Sequence, residues 1–333
     1  MNLSSIPFCD GSLISNYNVI TPADDKKAFY IGVFYLIWGV SSFLLSSFVF
    51  SVISKPPLIQ YSCYKLMTIN CFLDLVNMTN GLIISGILSI FHVNHCNQQY
   101  TVFMNVMGVY VMASWACYTA AAEVLAINRV LEFAKPSWSQ FLFQGHRSWL
   151  WIAYIFLYSL ILNLLVLDAF YFYNPYLGMW FNRRTSQAMN YMHVINNFSK
   201  FGFISISYVL MIFFMYRMGN TVTNVSRIQI KASIQAMVIA ILAAGTTLGY
   251  LVAPYIPLGY LDQYTGVIGE ILWQSLHTGT SIIYIVMNQT VRERFLDLLR
   301  GFRGVSTRTN DVQLFSKIRS NSKSQAAVSG VFP

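Results

Sequence analysis

The chain has 333 residues, of which 56% are hydrophobic and only 10% charged, and its formal net charge is +9. About a quarter of the residues in a soluble domain are charged, so this composition excludes an ordinary soluble protein and indicates a membrane protein. The excess of Lys and Arg is then interpreted as an orientation signal and an attraction to anionic lipid, not as a surface that binds nucleic acid.

Residues 1–28 are predicted to form an extracellular tail. They lack a basic head followed by an apolar core, so no cleavable signal peptide is expected and the first span would direct insertion. Asn2 begins the sequon N-L-S and is a candidate glycosylation site. Cys9 in this tail and Cys96 before the third span both lie outside in this topology, where either a disulfide or two free thiols can persist.

Apolar stretches long enough to cross a bilayer as helices occur seven times in the chain. Residues 29–290 are therefore predicted to form one seven-transmembrane helix bundle, an all-α membrane fold with no separate soluble domain. Basic residues concentrate beside the predicted inner loops and after residue 290, so we expect a multi-pass plasma-membrane protein with its N-terminus outside. Lys200, near the head of the fifth span, is assigned to the outer side. The stretches are 29–53, 63–91, 100–128, 148–170, 194–216, 232–255 and 266–287.

The second span contains Asp74, with Asn70 one turn before it and Asn77 about one turn after it. An ionisable group at a helix centre costs about 2.5–3.5 kcal/mol on insertion scales, so Asp74 should face the bundle interior. Two interpretations remain open. Asp74 is either a polar hub that couples helix movements or a hydrogen-bonded or protonated carboxyl group that fastens helices together.

The third span closes with the run L-A-I-N-R, which places Asn128 and Arg129 at its inner edge. Arg129 either couples the bundle to an intracellular partner or is an ordinary basic anchor at the membrane edge. Glu123 precedes Arg129 by six residues, which is about 120° around a helix, so the two should not pair on one face.

Asp168 lies near the outer end of the fourth span, where partial solvation lowers the cost of a charge. We interpret it as an interfacial residue, with contact to a ligand as the alternative. The outer loop 171–193 that follows is rich in Tyr, Asn and Trp and contains no cysteine.

The seventh span carries a polar stripe whose members are spaced by three or four residues, so they share one face of the helix. Such a stripe must face the bundle interior or water. Its outer part suits contact with a small-molecule ligand and its inner part a buried switch, while polar packing between helices is the alternative for all of it. The outer members are Glu270 and Gln274, and the inner members are His277, Ser281, Tyr284 and Asn288.

The pattern changes after the seventh span. Between residues 291 and 303, apolar side chains recur at helical spacing with arginines between them, which predicts an amphipathic helix on the inner membrane surface. Residues 304–333 are rich in Ser, Thr and Asn and are predicted to form a disordered cytoplasmic tail.

An enzyme is not expected, because the chain has no phosphate-binding glycine loop and no G-x-S-x-G elbow. His277 is the only histidine inside a predicted span, so neither a metal site nor a cofactor is predicted. A transporter or channel for a small solute is the alternative to a receptor. A repeat between the first and last three spans would favour transport, and the sequence shows none.

Motifs in three spans carry a resemblance. The second span contains Y-S-C-Y-K-L-M at 61–67 and I-N-C-F-L-D-L at 69–75, and the third closes with E-V-L-A-I-N-R at 123–129. The seventh ends with H-T-G-T-S-I-I-Y-I-V-M-N-Q-T-V-R at 277–292. Over about residues 25–303 the chain resembles the nematode serpentine chemoreceptors of class T, the Srt family, distant relatives of rhodopsin-like G-protein-coupled receptors.

The resemblance implies a chemosensory receptor that binds a small molecule in the outer half of its bundle and activates a heterotrimeric G protein, in the membrane of a sensory neuron. By position, Asp74 resembles the buried carboxylate of the second helix. Asn128 and Arg129 resemble the pair that meets the G protein, and Tyr284 and Asn288 fall in the region of the seventh-helix switch.

The chain departs from the broader rhodopsin-like pattern in several places. No acidic residue directly precedes Arg129, and the loop 171–193 has no cysteine to bond to the third span. The sixth span lacks Trp-x-Pro and the seventh lacks Asn-Pro before its tyrosine. Activation through the usual switch motifs of that group is therefore not assumed.

Overall fold

A computed structural model describes residues 22–96, 99–165, 169–184, 191–218, 224–252 and 264–302. Over these ranges the chain forms nine helices and one β-hairpin. The helices are α1 (Pro22–Ile53), α2 (Ser62–Ile90), α3 (Thr101–Ala134), α4 (Pro136–Phe143), α5 (Arg147–Leu164), α6 (Tyr191–Met218), α7 (Asn224–Val252), α8 (Thr265–Met287) and α9 (Gln289–Phe302). The strands are β1 (Ala169–Asn174) and β2 (Met179–Arg184).

The seven predicted spans are all present as helices, and the seven-helix membrane bundle is confirmed. By length and composition, α1, α2, α3, α5, α6 and α7 can each cross a membrane. The seventh span, α8, has 23 residues, which is long enough to cross a bilayer. Its polar stripe makes it less apolar than the other six.

Helix α3 is the central helix of the bundle. It packs against α2, α5, α6 and the hairpin. In an apolar stretch of 18 residues, 72% of α3 is buried, whereas the corresponding share for α5 is 17%. Helix α8 closes the bundle between α7 on one side and α1 and α2 on the other. Polar residues on α3 and α8 therefore face other helices, whereas α5 leaves most of its apolar surface for lipid.

Helices α1 and α2 run antiparallel. Gly32 near the start of α1 lies against Gly86 near the end of α2, where a Cβ on Gly32 would come within 2.6 Å of the Gly86 carbonyl oxygen. Further along α1, Ser46 reaches Met78 of α2. Two ends of the bundle follow from this arrangement: the hairpin end, where the hairpin lies, and the arginine end, where Arg129 lies.

The second span contains a π-helical turn over Thr79–Ile84, between α-helical segments Ser62–Met78 and Ser85–Ile90. Gly81 lies in this turn, directly against α8. A Cβ at Gly81 would lie 1.8 Å from Nε2 of Gln274, so the missing side chain makes room for the stripe of α8. π-Helical turns of this kind occur frequently at functional sites.

The fourth span ends earlier than predicted. Helix α5 stops at Leu164, and residues 169–184, assigned in part to the span and in part to a loop, form an antiparallel hairpin. Asn174 pairs with Met179 and shapes the turn, because its side-chain oxygen accepts from the backbone N–H of Tyr176 at 3.0 Å. Gly178 completes the turn with a φ of 64°, a conformation that favours glycine.

The amphipathic helix is present as α9, close to the predicted bounds 291–303. Its apolar residues Leu298 and Leu299 are 43% and 44% exposed, and Arg300 pairs with Asp297 at 3.4 Å. Helix α9 thus keeps an apolar stripe open on its own surface. The predicted tail 304–333 lies outside the described residues.

Candidate functional site

A cavity of about 730 Å³ lies toward the hairpin end of the bundle, between α3, α6, α7, α8 and the hairpin. Its walls are largely aromatic, with Trp115 and Tyr118 contributed by α3 and Trp273 by α8. The hairpin adds Tyr171 and Trp180. A concave, largely apolar space with a few polar groups is typical of a site for a small molecule.

The polar groups of the cavity come mainly from α6 and α8. Helix α6 contributes His193, Asn197 and Lys200, and α8 contributes His277. Asn197 and His193 are hydrogen-bonded at 3.2 Å, and the ammonium group of Lys200 lies 4.8 Å from the ring centre of Tyr118. The described lining residues include no carboxylate.

Hydrogen bonds from the hairpin to two helices hold it over the cavity. Tyr35 of α1 donates to the carbonyl oxygen of Gly178 at 2.8 Å, and the indole of Trp180 donates to Ser85 at 2.8 Å. Ser89 and Tyr173 are hydrogen-bonded at 2.7 Å, and burial raises the pKa of Tyr173, so its phenol stays protonated. Because these partners belong to α1 and α2, the hairpin links the cavity to the far side of the bundle.

Replacing Gly108 by alanine should displace the hairpin. A Cβ at this position of α3 would lie 2.4 Å from the backbone carbonyl oxygen of Tyr171, so the strand must move. We expect a loss of about 1–2 kcal/mol of stability, as for other overpacked sites. Thermal unfolding of the purified protein, followed with a thiol-reactive dye that reports exposure of buried cysteines, measures this.

Gly202→Ala is the matched control for that substitution. Gly202 also lies within a helix, α6, but a Cβ there meets nothing within 4 Å. Alanine is the better helix former, so Gly202→Ala should leave stability equal or slightly higher. Equal behaviour of the two variants would show that the contact between α3 and the hairpin is not tight.

A polar hub connects the cavity with the interior of the bundle. His277, which lines the cavity, pairs through Nδ1 with Oδ1 of Asp74 on α2 at 2.7 Å, and both side chains are buried. Asn70 and Asn77 flank Asp74 and donate to backbone carbonyls of α2 and α3. The structure thus brings together two predicted switch residues from different spans.

The remaining switch residues continue from the hub toward the arginine end. Ser281 is hydrogen-bonded to Ser46 of α1 at 2.5 Å, and Tyr284 is 1% exposed. Asn288 donates to the hydroxyl of Tyr64 on α2 at 2.9 Å. Its side-chain oxygen also accepts from the backbone N–H of Val291, so Asn288 caps the start of α9. The stripe of α8 is accordingly bonded to α1 and α2 along its length.

Glu270 and Gln274 lie beside the cavity but outside its described lining. Gln274 donates to Glu270 at 3.1 Å, and the pair packs against Gly81 of the π-helical turn. Both residues are at most 2% exposed. Their predicted contact with a ligand stays a prediction, and the structure gives them a contact with α2.

Arg129 is fully buried, and α3 continues past the predicted end at residue 128 to Ala134. Its guanidinium donates to Glu132 at 2.6 Å, to Ser233 of α7 at 3.3 Å, and to the neighbouring Asn128. Ser62 of α2 donates to the same carboxylate at 3.4 Å. Arg129 therefore joins α3 to α7 directly and to α2 through Glu132.

Asn128, directly before Arg129, is not acidic, but Glu132 supplies a carboxylate that pairs with Arg129. Glu132 follows Arg129 by three residues, and such a spacing places two helical side chains next to each other. That spacing was a readable signal in the sequence. The serine on α7 was not, because nothing local identifies a partner 104 positions away.

Several predicted site residues fall where the structure gives no description. Asn2, Cys9 and Asp168 lie outside the described residues. Cys96 is disulfide-bonded, while Cys63, Cys71 and Cys117 are free and buried. In the part of the chain that is described, no group of three or more His, Cys, Asp or Glu side chains could hold a metal ion.

Lys200 is the functional candidate whose position the sequence interpretation missed. It was assigned to the outer side near the head of the fifth span, but it is 3% exposed and lines the cavity. Helix α6 begins at Tyr191, so Lys200 lies about 14 Å along the helix axis. A lysine this far inside a span was the available signal, because such a charge is costly unless it faces the interior.

The model of one protein family, described as serpentine type 7TM GPCR chemoreceptor Srt, matches residues 4–308. No curated protein matches the sequence significantly. Among solved structures, the fold is similar to that of squid rhodopsin, with a TM-score of 0.67 and 14% sequence identity. The similarity covers 90% of this chain and 95% of the squid rhodopsin chain, and at this identity it shows the fold alone.

Proposed function

Since the chain belongs to the Srt family of serpentine chemoreceptors, we propose that it binds a small molecule in the cavity and activates a heterotrimeric G protein. The observation that carries this proposal is the double role of His277. The same side chain lines the cavity and pairs with Asp74 in the hub. A ligand that contacts His277 can therefore change how α8 packs against α2.

The arginine end supports a second step in the proposal. Arg129 has no exposed surface, so a partner protein can reach it only after the helices around it separate. The contacts that must change are those with Ser233 on α7 and with Glu132. A ligand that binds the separated arrangement more tightly than the closed one shifts the population toward it.

We place the hairpin end outside the cell and the arginine end in the cytoplasm of a sensory neuron, with the chain in the plasma membrane. The distribution of Lys and Arg along the sequence supports this orientation. In it, the exposed apolar stripe of α9 suits the inner membrane surface.

The experiment that tests the proposal is guanine-nucleotide exchange. Membranes that contain the receptor are incubated with purified heterotrimeric G proteins and a chemical panel, and binding of a non-hydrolysable GTP analogue is measured. At least one compound should stimulate exchange above membranes that lack the receptor. Solute flux into receptor-containing liposomes without any nucleotide dependence would instead favour a transporter or channel.

We also propose that Cys9 is the disulfide partner of Cys96, which would tie the tail to the start of α3. Cys9→Ser should then free Cys96, so that a membrane-impermeant maleimide labels intact cells expressing the variant but not the wild type. The free cysteines Cys63, Cys71 and Cys117 are buried and contribute little background. Labelling of unreduced wild type to the same extent as the variant would contradict the pairing, and a Cys9→Ser variant that stays unlabelled would contradict the outside position of Cys96.

A further inference from the structure

We propose that the ligand carries a carboxylate, which pairs with Lys200 at the wall of an otherwise aromatic cavity. The inference rests on the proposal that this cavity is the ligand site, and it names the chemical class that the site selects. It would make Lys200 a specificity-determining residue. The ligand is then an apolar, ring-bearing organic acid rather than an amine or a neutral odorant.

The Lys200 ammonium group is buried at the wall of the cavity. The side chain is 3% exposed and lines the cavity. In the part of the chain that is described, it makes no hydrogen bond and no ion pair within 4 Å, and its contact is with the ring face of Tyr118 at 4.8 Å. A buried cation is costly unless it is paired, so this group favours an anionic partner inside the cavity.

A second obligate hydrogen-bond donor in the cavity wall also lacks an acceptor. The indole N–H of Trp273, a lining residue, is buried and has no acceptor among the described residues. Indole N–H and ammonium groups can only donate. Nε2 of His277 also lacks a described partner. The unsatisfied atoms therefore present two obligate donors, and a carboxylate offers two acceptor oxygens.

The lining of the cavity disfavours an amine ligand. An amine ligand needs a carboxylate, but the described lining has none. Asp74 and Glu123 interact electrostatically with Lys200, but neither belongs to the described lining. Asp74 is already engaged by His277. An acid is thus matched by the charge of the lining, whereas an amine would face Lys200.

The apolar part of the ligand follows from the walls. Trp115, Tyr118 and Trp273 line the space on the helix side, and Tyr171 and Phe181 line it from the hairpin. Aromatic surfaces bind rings through offset stacking and edge contacts in addition to burial of apolar area. An aryl-alkanoic acid combines such a ring with a carboxylate on a short chain and so matches both the aromatic walls and Lys200.

The test measures binding to the purified full-length receptor without any G protein. Three probes share one skeleton: 3-(2-naphthyl)propanoate, its primary amide and the corresponding primary amine. Further aryl-alkanoic acids with smaller and larger rings cover the size of the cavity. Affinity is read from quenching of tryptophan fluorescence and from the ligand-induced rise in Tm.

Wild type should bind at least one acid about tenfold to a hundredfold more tightly than the matched amide, since hydrogen bonds to a charged group are worth more than neutral ones. Lys200→Met should remove this preference while leaving affinity for the amide nearly unchanged. Lys200→Arg should keep the preference for the acid because it keeps the charge. Lys65→Met is the control, because Lys65 lies at the arginine end, away from the cavity lining, and donates there to the carbonyl of Gly145 in an exposed hydrogen bond.

Trp273→Phe provides a second variant if Lys200→Met does not fold. It removes the indole donor and keeps a ring, so it should weaken the acid more than the amide. The proposal is overturned if the acid and amide bind equally to wild type, if the preference survives Lys200→Met, or if no acid of the size series binds. Acid binding without nucleotide exchange would support this inference and contradict the proposed G-protein activation instead.

Discussion

Arg129→Ala should abolish ligand-stimulated nucleotide exchange while the cavity still binds its ligand. The guanidinium contacts Glu132 and Ser233 in the structure, and in the open arrangement that we propose it would become available to a partner. The substitution also leaves the Glu132 carboxylate, whose side chain is 8% exposed, without its cation. Removing one partner of a buried ion pair costs about 3–5 kcal/mol, so stability should fall as well.

Because stability and coupling both depend on Arg129, the measurement must separate them. Exchange is compared at equal amounts of folded receptor, and ligand affinity is measured on the same membranes. Arg129→Lys keeps the charge but not the planar fork that bonds two partners at once, so it should retain more stability than Arg129→Ala and still couple poorly.

Arg147→Ala is the matched control, because Arg147 lies at the same end of the bundle but is exposed, and its guanidinium contacts the carbonyl and the ring of Phe141. An ordinary basic anchor would make the two arginines equivalent. Exchange that survives unchanged in Arg129→Ala would show that the role proposed for Arg129 is wrong.

The fold could be predicted from the sequence because each span can be recognised from its own residues. About twenty apolar residues between polar loops identify a membrane helix whatever its partners are. The hairpin was missed for the same reason. Its strand β1 reads A-F-Y-F-Y-N, which is as apolar as the end of a helix, so hydropathy alone extended the fourth span to residue 170. The successive residues Tyr171, Phe172 and Tyr173 are all buried, and this removes the alternation that reveals a half-buried strand.

The candidate site was predicted less completely, because residue types are local but pairings are not. The sequence identified Asp74 and His277 as polar residues that must face inward, yet nothing in either span said that they meet. Rotation about the helix axis decides which side of a stripe faces a cavity. Thus His277 lines the cavity, whereas Glu270 and Gln274 of the same stripe face the π-helical turn of α2.

Asp74→Ala is the second substitution expected to have a large effect. It removes the partner of His277 Nδ1 from a site where both side chains are at most 1% exposed. Breaking a buried charge pair costs about 3–5 kcal/mol in soluble proteins, whereas side-chain hydrogen bonds in membranes average about 0.6 kcal/mol. The carboxylate here is hydrogen-bonded to an ionisable ring, so we expect a loss between these limits, about 2–3 kcal/mol. Ligand-stimulated exchange should fall too, because His277 would lose its link to α2.

Asp74→Asn is the matched control, since it keeps the size of the side chain and an oxygen that accepts from His277. Its cost should stay below about 1 kcal/mol if the hydrogen bond is what matters. His277→Ala should reproduce the loss seen in Asp74→Ala, and the double variant should lose much less than the sum, because both substitutions remove one interaction. Additive losses in this cycle would mean that Asp74 and His277 act independently. The polar hub would then be packing between helices, and a ligand in the cavity would need another route to the arginine end.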